Sequence, residues 1–287
     1  MKWKGKVAVV SGSSMGIGKA IATALAQKGA NVVLNGRHKA QLYDTEKELL
    51  LKGYDVKAVV ADIGRPGQCK HLVAETIKAF GKIDILINNA GQSSRGTVEK
   101  MVVSNIKALI ETNYSGAAYL SKYAVPHLKN SKGHIVFINS VGGLRGMPYN
   151  SAYTASKMAQ AALAEALRIE LYDYGIHVGL VYVGFTENDP KKIILDEDGT
   201  RIYLPKRDNI RLAKPQTVAE SVLAMVEKRT DRIILTNLGL LANFMIRYFP
   251  SLSNWILLHH RKKIKEQFTE IGGKKVVEKM EMEKLTL

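Results

Sequence analysis

Seven short apolar runs recur along this chain, and the stretches between them read as helices. The runs are Lys6–Ser11, Asn31–Leu34, Val56–Ala61, Ile83–Ile87, His134–Ile138, His177–Val183 and Arg232–Leu235. Between them lie Ile17–Lys28, Lys39–Leu51, Gln68–Phe80, Val103–Leu128, a helix around Tyr153, and Thr217–Lys228. Strands that stay apolar at odd and even positions alike need cover on both faces. Intervening helices supply that cover and return the chain for parallel pairing through right-handed crossovers. The expected class is α/β, a three-layer doubly wound parallel sheet over residues 1–236, followed by a helical C-terminal extension over 237–287. At 287 residues and 46% apolar content the chain has ample material for a core.

Composition narrows the function by exclusion. Cys69 is the single cysteine, so no internal disulfide and no metal cluster is expected, which fits a reducing compartment. The opening Met-Lys-Trp-Lys-Gly-Lys runs straight into strand and glycine loop, without the pattern of a signal peptide. The longest apolar stretch, Leu238–Leu258, is interrupted by Asn243, Arg247, Pro250 and Asn254, so it is not expected to span a bilayer. A cytoplasmic location is the resulting expectation. The net charge of +16 is spread over the chain without aromatic interleaving, and reads as a basic solvated surface with no nucleic-acid partner.

Two clusters carry chemistry. Ser11-Gly-Ser-Ser-Met-Gly-Ile-Gly18 joins the first strand to the first helix, with glycines at Gly12, Gly16 and Gly18. Glycines let the backbone turn tightly and approach a ligand, while the helix end behind them offers N–H groups and a positive dipole. Ser13, Ser14 and Ile17 belong to the same pyrophosphate-binding turn. The second cluster is Tyr153 and Lys157, one helical turn apart on one face. Bringing a phenol from its usual pKa of about 10 to about 7 takes roughly 4 kcal/mol of phenolate stabilisation. Burial works against that, whereas a nearby cation supplies it. The pair reads as a general acid/base unit.

With these residues go Asn88-Asn-Ala-Gly91 after the fourth strand, Asn113 in a long helix, and Ser140 thirteen residues before Tyr153. In that order they resemble the short-chain dehydrogenase/reductase family over about residues 4–236, with its Rossmann fold. The resemblance implies that Tyr153 exchanges a proton with a carbonyl or hydroxyl oxygen. It further implies that Lys157 lowers the phenol pKa and holds the nicotinamide ribose, that Ser140 hydrogen-bonds the substrate oxygen, and that Asn113 holds a relaying water. Asp62 and Ile63 would contact adenine, Asn89, Ala90 and Gly91 would lie beside the cofactor, and Gly184 and Thr186 would reach the nicotinamide. The chain departs from the family pattern at Ser11 (commonly threonine), at Val183-Gly184 (commonly Pro-Gly) and at Asn139.

The second strand runs into Asn35-Gly36-Arg37-His38, with no carboxylate before Asp44. An acid there would bind a ribose 2′-hydroxyl, whereas arginine accommodates a 2′-phosphate. NADP(H) is therefore expected over NAD(H), with Arg37 as determinant and Asn35 or His38 assisting. Leu144, Met147, Tyr149 and Phe185 make an apolar substrate wall, closed by a charged loop over Glu187–Leu212 that reads as a lid. The expected reaction is hydride transfer to or from a hydrophobic ketone or secondary alcohol: steroid-like, 3-oxo-lipid or xenobiotic. The alternatives are an NAD(H)-dependent alcohol dehydrogenase and a cofactor-binding sensor without turnover. The extension reads as two short amphipathic basic helices, favoured as a flap or subunit contact, with a membrane surface as the second reading. A homodimer or homotetramer is the family expectation.

Overall fold

The computed structural model describes residues 3–187, 189, 192–204 and 212–269. Strands β1 (Val7–Val10), β2 (Asn31–Gly36), β3 (Val56–Val60), β4 (Ile85–Asn88), β5 (His134–Ser140) and β6 (His177–Val183) belong to one sheet. A hairpin of β7 (Ile193–Leu195) and β8 (Arg201–Tyr203) stands apart from it, and β9 (Arg232–Ile234) completes the main sheet. The order is β3-β2-β1-β4-β5-β6-β9, and every pairing in it is parallel. From β1 the chain winds outward to β3, then crosses back to β4 and winds the other way. The switch point between β1 and β4 opens a crevice at the carboxyl ends of the strands, where ligands bind in sheets of this kind.

The helices α1 (Gly16–Gln27), α2 (Lys39–Leu51), α3 (Pro66–Phe80), α4 (Val103–Ile110), α5 (Gly116–Ser131), α6 (Ser151–Glu170) and α7 (Pro215–Lys228) cover the sheet. Alternation along each strand assigns the two faces. Val10, Ile87, Val136 and Ile138 pack with Ile21, Leu42 and Val222 of α1, α2 and α7. Val9, Leu86, Ile135 and Phe137 face the other way, onto Leu72, Leu120 and Ala161 of α3, α5 and α6. Both faces being dry explains why β1 and β4 are apolar at every position but Asn88.

Three details differ from the sequence reading. The helix expected over Val103–Leu128 is interrupted by one π turn, Glu111–Ser115, whose buried member is Asn113. The expected lid loop contains the β7–β8 hairpin, and its turn is clamped to the segment after β4. Asp196 forms a two-point ion pair with Arg95 at 3.1 Å, and its carbonyl accepts from Asn105 Nδ2 at 2.7 Å. Residues 188, 190, 191 and 205–211 of that loop lie outside the described residues. The extension forms three helices within the described residues, α8 (Asn237–Tyr248), α9 (Pro250–His259) and α10 (Arg261–Thr269). Pro250 and Phe249 split the first two, because proline suits a helix start and not its interior.

Candidate active site

The glycine loop lies at the switch point, and its glycines are there for different reasons. Gly12 has a φ of +64°, and a Cβ on it would stand 2.7 Å from the Ala90 Cα. A Cβ on Gly18 would strike the Gly12 carbonyl oxygen at 2.1 Å. These two let the loop, helix α1 and the strand-end Asn89–Ala90 close on one another. Gly16, with φ +54°, faces open space instead. No side chain caps the start of α1 and no acid lies in its first turn, so its positive end is left for an anion. Asn89 holds the loop by donating from Nδ2 to the carbonyls of Ser11 and Gly12, both at 2.9 Å. Ser11 Oγ in turn accepts from the N–H groups of Asn89 and Ala90 at 3.0 Å.

At the end of β2 the small Gly36 leaves room for Ser14 Oγ, which a Cβ there would approach to 2.7 Å. Arg37 follows it, exposed. Asn35 does not share the task expected of it. It is buried, and its Nδ2 donates to the carbonyls of Val59 and Ala61, tying β2 to β3. Both amide protons are thereby used, and Ser13 Oγ accepts from the Asn35 N–H at 2.9 Å. Asp62 Oδ1 accepts from the Gly64 N–H, which shapes the turn after β3, and Ile63 is buried against Gly116.

Across the crevice, four residues expected in catalysis converge on two glycines. The point where a Cβ of Gly142 would sit is 3.4 Å from the Tyr153 ring edge and 3.5 Å from Ser140 Oγ. The corresponding point at Gly91 is 3.3 Å from Asn113 Oδ1 and 3.5 Å from Lys157 Nζ. A side chain at either position would fill the ground between them. Ser140 Oγ accepts from the Gly142 N–H at 3.1 Å, which leaves its own hydroxyl proton to donate elsewhere. Lys157 Nζ donates to the Ile138 carbonyl at 3.0 Å and to Gln160 Oε1 at 3.3 Å, leaving a third N–H. Burial, with a smaller push from the Lys192 charge, pulls the Lys157 ammonium down to about 7. The π turn places the Asn113 side chain between the segment after β4 and α6, where it bonds both main-chain groups of Gln92 and donates to Ser156 Oγ at 2.8 Å. Such a bulge releases one turn of a helix from its regular ladder and is frequent at functional sites.

The residues expected to wall the substrate lie in different settings. Tyr149 lies beside the crevice with φ +59°, a left-handed conformation held by the Gly96 N–H on its carbonyl at 2.9 Å. It lines a cavity of about 420 Å³ together with Val98, Pro148, Ser151 and, from the extension, Leu257 and Ile264. Leu144 packs partly into the core, Met147 is exposed, and Phe185 is half-buried. Gly184 lies against Thr236, and Thr186 is buried, bridging to Ala213.

The profile of the family described as short chain dehydrogenase matches residues 6–198. The chain belongs to the short-chain dehydrogenase family. Among proteins, it is 33% identical over 241 residues to dehydrogenase/reductase SDR family member 7B of Danio rerio, covering 82% of this chain and 78% of that one. It is 38% identical over 189 residues to an 11-beta-hydroxysteroid dehydrogenase-like protein, 4A, of Arabidopsis thaliana, covering 65% of this chain and 63% of the other. Among structures, an alcohol dehydrogenase of Thermococcus sibiricus complexed with 5-hydroxy-NADP superposes with a TM-score of 0.71 at 25% identity, over 80% of this chain and 95% of that one. A short chain dehydrogenase/reductase of Burkholderia phymatum in complex with NAD gives 0.77 at 24% identity, over 88% and 96% of the two chains.

In this short-chain dehydrogenase, an oxidoreductase by family, sequence reasoning missed the residue that joins the groups expected in catalysis. Gln160 is fully buried. Its Nε2 donates to the Asn113 carbonyl at 2.9 Å, and its Oε1 accepts from both Lys157 Nζ and Asn139 Nδ2. Asn139 also donates to the Lys157 carbonyl at 2.8 Å and accepts from the Ser140 N–H at 2.7 Å. The link from Asn113 to Lys157 was expected through water; the protein's own link runs through Gln160. The one available signal was its place three residues after Lys157, on the same helix face.

Proposed function

We propose that this enzyme carries out NADP(H)-dependent hydride transfer between nicotinamide and a hydrophobic ketone or secondary alcohol, with Tyr153 as the general acid/base. The observation that carries the reading is the meeting of Tyr153 and Ser140 at Gly142, beside Lys157 and Asn113 at Gly91. The site suits a dinucleotide: two glycines too close-packed to bear a Cβ, one facing open space, and an uncapped helix end without an acid. Gly12–Gly18 would hold the pyrophosphate, Arg37 the 2′-phosphate and Lys157 the nicotinamide ribose. When bound, the nicotinamide supplies or takes up the hydride.

The chain's own residues do the rest. The free proton of Ser140 Oγ donates to the substrate oxygen and stabilises the charge that develops there. Tyr153 donates its phenolic proton to that oxygen during reduction and accepts it during oxidation. Lys157, while charged, favours the phenolate over the phenol. The largely apolar wall at Val98, Pro148, Tyr149 and Leu257 favours a lipophilic substrate, in keeping with a relative named for a hydroxysteroid.

NADPH oxidation against a panel of ketones tests the reading. Tyr153→Phe is expected to remove at least about 100-fold of the rate, and undiminished turnover in that variant would overturn the assignment. Arg37→Asp is expected to reverse the preference toward NADH. An unchanged ratio would refute the NADP(H) reading and leave the catalytic one standing.

A further inference from the structure

The largest feature that the chemistry leaves unused is the outer surface of α8 and α9. Leu238, Leu240, Leu241, Phe244, Tyr248 and Phe249 are all exposed there, as are Leu252, Trp255, Ile256 and Leu258. Elsewhere the exposed large apolar residues stand singly or in smaller groups, such as Tyr43, Leu50 and Leu51 on α2. Here they form one run, with the Phe244 ring 5.0 Å from Tyr248 and 5.9 Å from Phe249. A contiguous apolar surface of this kind marks a docking site.

The charges beside it say what docks. Between Asp231 and Glu266 the sequence contains no carboxylate, while Arg232, Arg247, Arg261, Lys262, Lys263 and Lys265 are cationic. We propose that the α8–α9 face, with the cations of α10, seats this protein on the headgroup region of an anionic lipid bilayer. An apolar face with Trp and Tyr among its exposed residues and basic residues alongside suits that interface. A second copy suits it poorly. A two-fold contact through this face would bring like cations toward one another, with no acid on α8 or α9 and Glu266 as the one acid on α10 to set against its four cations. The helices are 12 and 10 residues long, and no helix among the described residues is long and apolar enough to cross a membrane. Contact is therefore at the surface.

Helices α9 and α10 reach the cavity at Tyr149. Leu258 is exposed on the apolar face and also lines the cavity at Tyr149, beside Leu257, Arg261 and Ile264. Asn254 of α9 accepts from Arg145, on the loop that follows Ser140. Docking sets the mouth of that cavity against the lipid, so a lipophilic substrate passes from bilayer to site. This consequence rests on the proposed function; the docking does not.

Flotation of the full chain with phosphatidylcholine vesicles containing about 30% phosphatidylserine tests the docking without any turnover. Binding is expected, weaker to pure phosphatidylcholine and weaker at high salt. Trp255 is exposed whereas Trp3 is buried on Glu227, so vesicles are expected to blue-shift the emission, and Trp255→Phe to abolish the shift. Leu241→Asp with Phe244→Asp is expected to weaken binding at least tenfold. Each of Arg261→Glu, Lys262→Glu and Lys263→Glu should cost about fivefold or more. The proposal is overturned if the full chain does not float, or if the Asp pair floats as well as the parent. It is equally overturned if the Asp pair instead splits a dimer seen by light scattering, which would make a second copy the occupant.

Discussion

The two ends of strands β5 and β6 both bury basic side chains, and they handle them in opposite ways. At the start of the strands His134 and His177 face each other, with Nδ1 to Nδ1 at 3.2 Å. The His177 Nε2 lies 3.0 Å from the Thr230 carbonyl, which can only accept, so that nitrogen bears the proton. His177 Nδ1 is then the acceptor and His134 Nδ1–H the donor. Burial first, then the His177, Arg229 and Lys6 charges, push His134 down to about 3, against a weaker pull from Asp84. Both rings stay neutral and the arrangement is structural. At the finish of β5, Lys157 is buried as deeply but has acceptors on Ile138 and Gln160 and a gap at Gly91 beside it. Its ammonium is lowered to about 7 and no further. Burial beside other cations silences a base; burial with carbonyl and amide acceptors and an opening leaves it able to change charge at working pH.

The largest effect should come from Lys157→Met. Turnover is expected to fall by about 100- to 10,000-fold. The fold should become more stable at pH 6, because the parent must bury a charged ammonium there. Its lowered pKa means that the folded chain holds fewer protons than the unfolded one between about 7 and 10.5, so the parent gains stability as pH rises through that window. A thermal midpoint that falls at pH 6 would break the comparison. Gln160→Leu comes next. It removes an acceptor from Lys157 and a donor from Asn113, for an expected loss of about 1–3 kcal/mol in stability. It should also move the activity profile to lower pH, since the charged lysine loses a partner; a profile that does not move would leave Gln160 a packing residue.

The histidine end should respond to acid alone. The folded pKa of His134 lies below its unfolded value, so stability is present above about pH 6.5 and is lost as pH falls toward 3. The expected slope is about 1.4 kcal/mol per pH unit from this group, read from urea melts at pH 7, 6 and 5. His134→Gln should flatten that slope while leaving turnover at pH 7 nearly unchanged. The smallest effect is expected from Arg145→Ala at the surface, within about 0.5 kcal/mol of parent stability. Its readout is a raised KM for lipophilic ketones, because α9 loses its tie to the loop after Ser140.

Much of this was legible in the sequence. Apolar runs separated by helices place each main-sheet strand within a few residues, because strands of a sheet covered on both faces are built mainly of apolar residues. The glycine loop, Tyr153 and Lys157 were readable because each answers a local demand, a turn or one helical face, whereas Ser140 was read from its place in the family's motif order. The β7–β8 hairpin was not, since strands of three residues leave no period to detect. Nor was the π turn at Asn113, which depends on what packs against that helix rather than on its own residues.

By itself, then, the sequence determined the layer architecture and placed Tyr153 and Lys157 one turn apart on one helix, both of which follow from local pattern and chain order. Only the tertiary structure decided where each polar side chain turns. It sent Asn35 to β3 rather than to the crevice, made Gln160 the hub between Asn113, Asn139 and Lys157, and left the α8–α9 face uncovered among the described residues. A buried hydrogen bond is settled by which partner lies within about 3 Å once the elements have packed, and no spacing along the chain contains that distance.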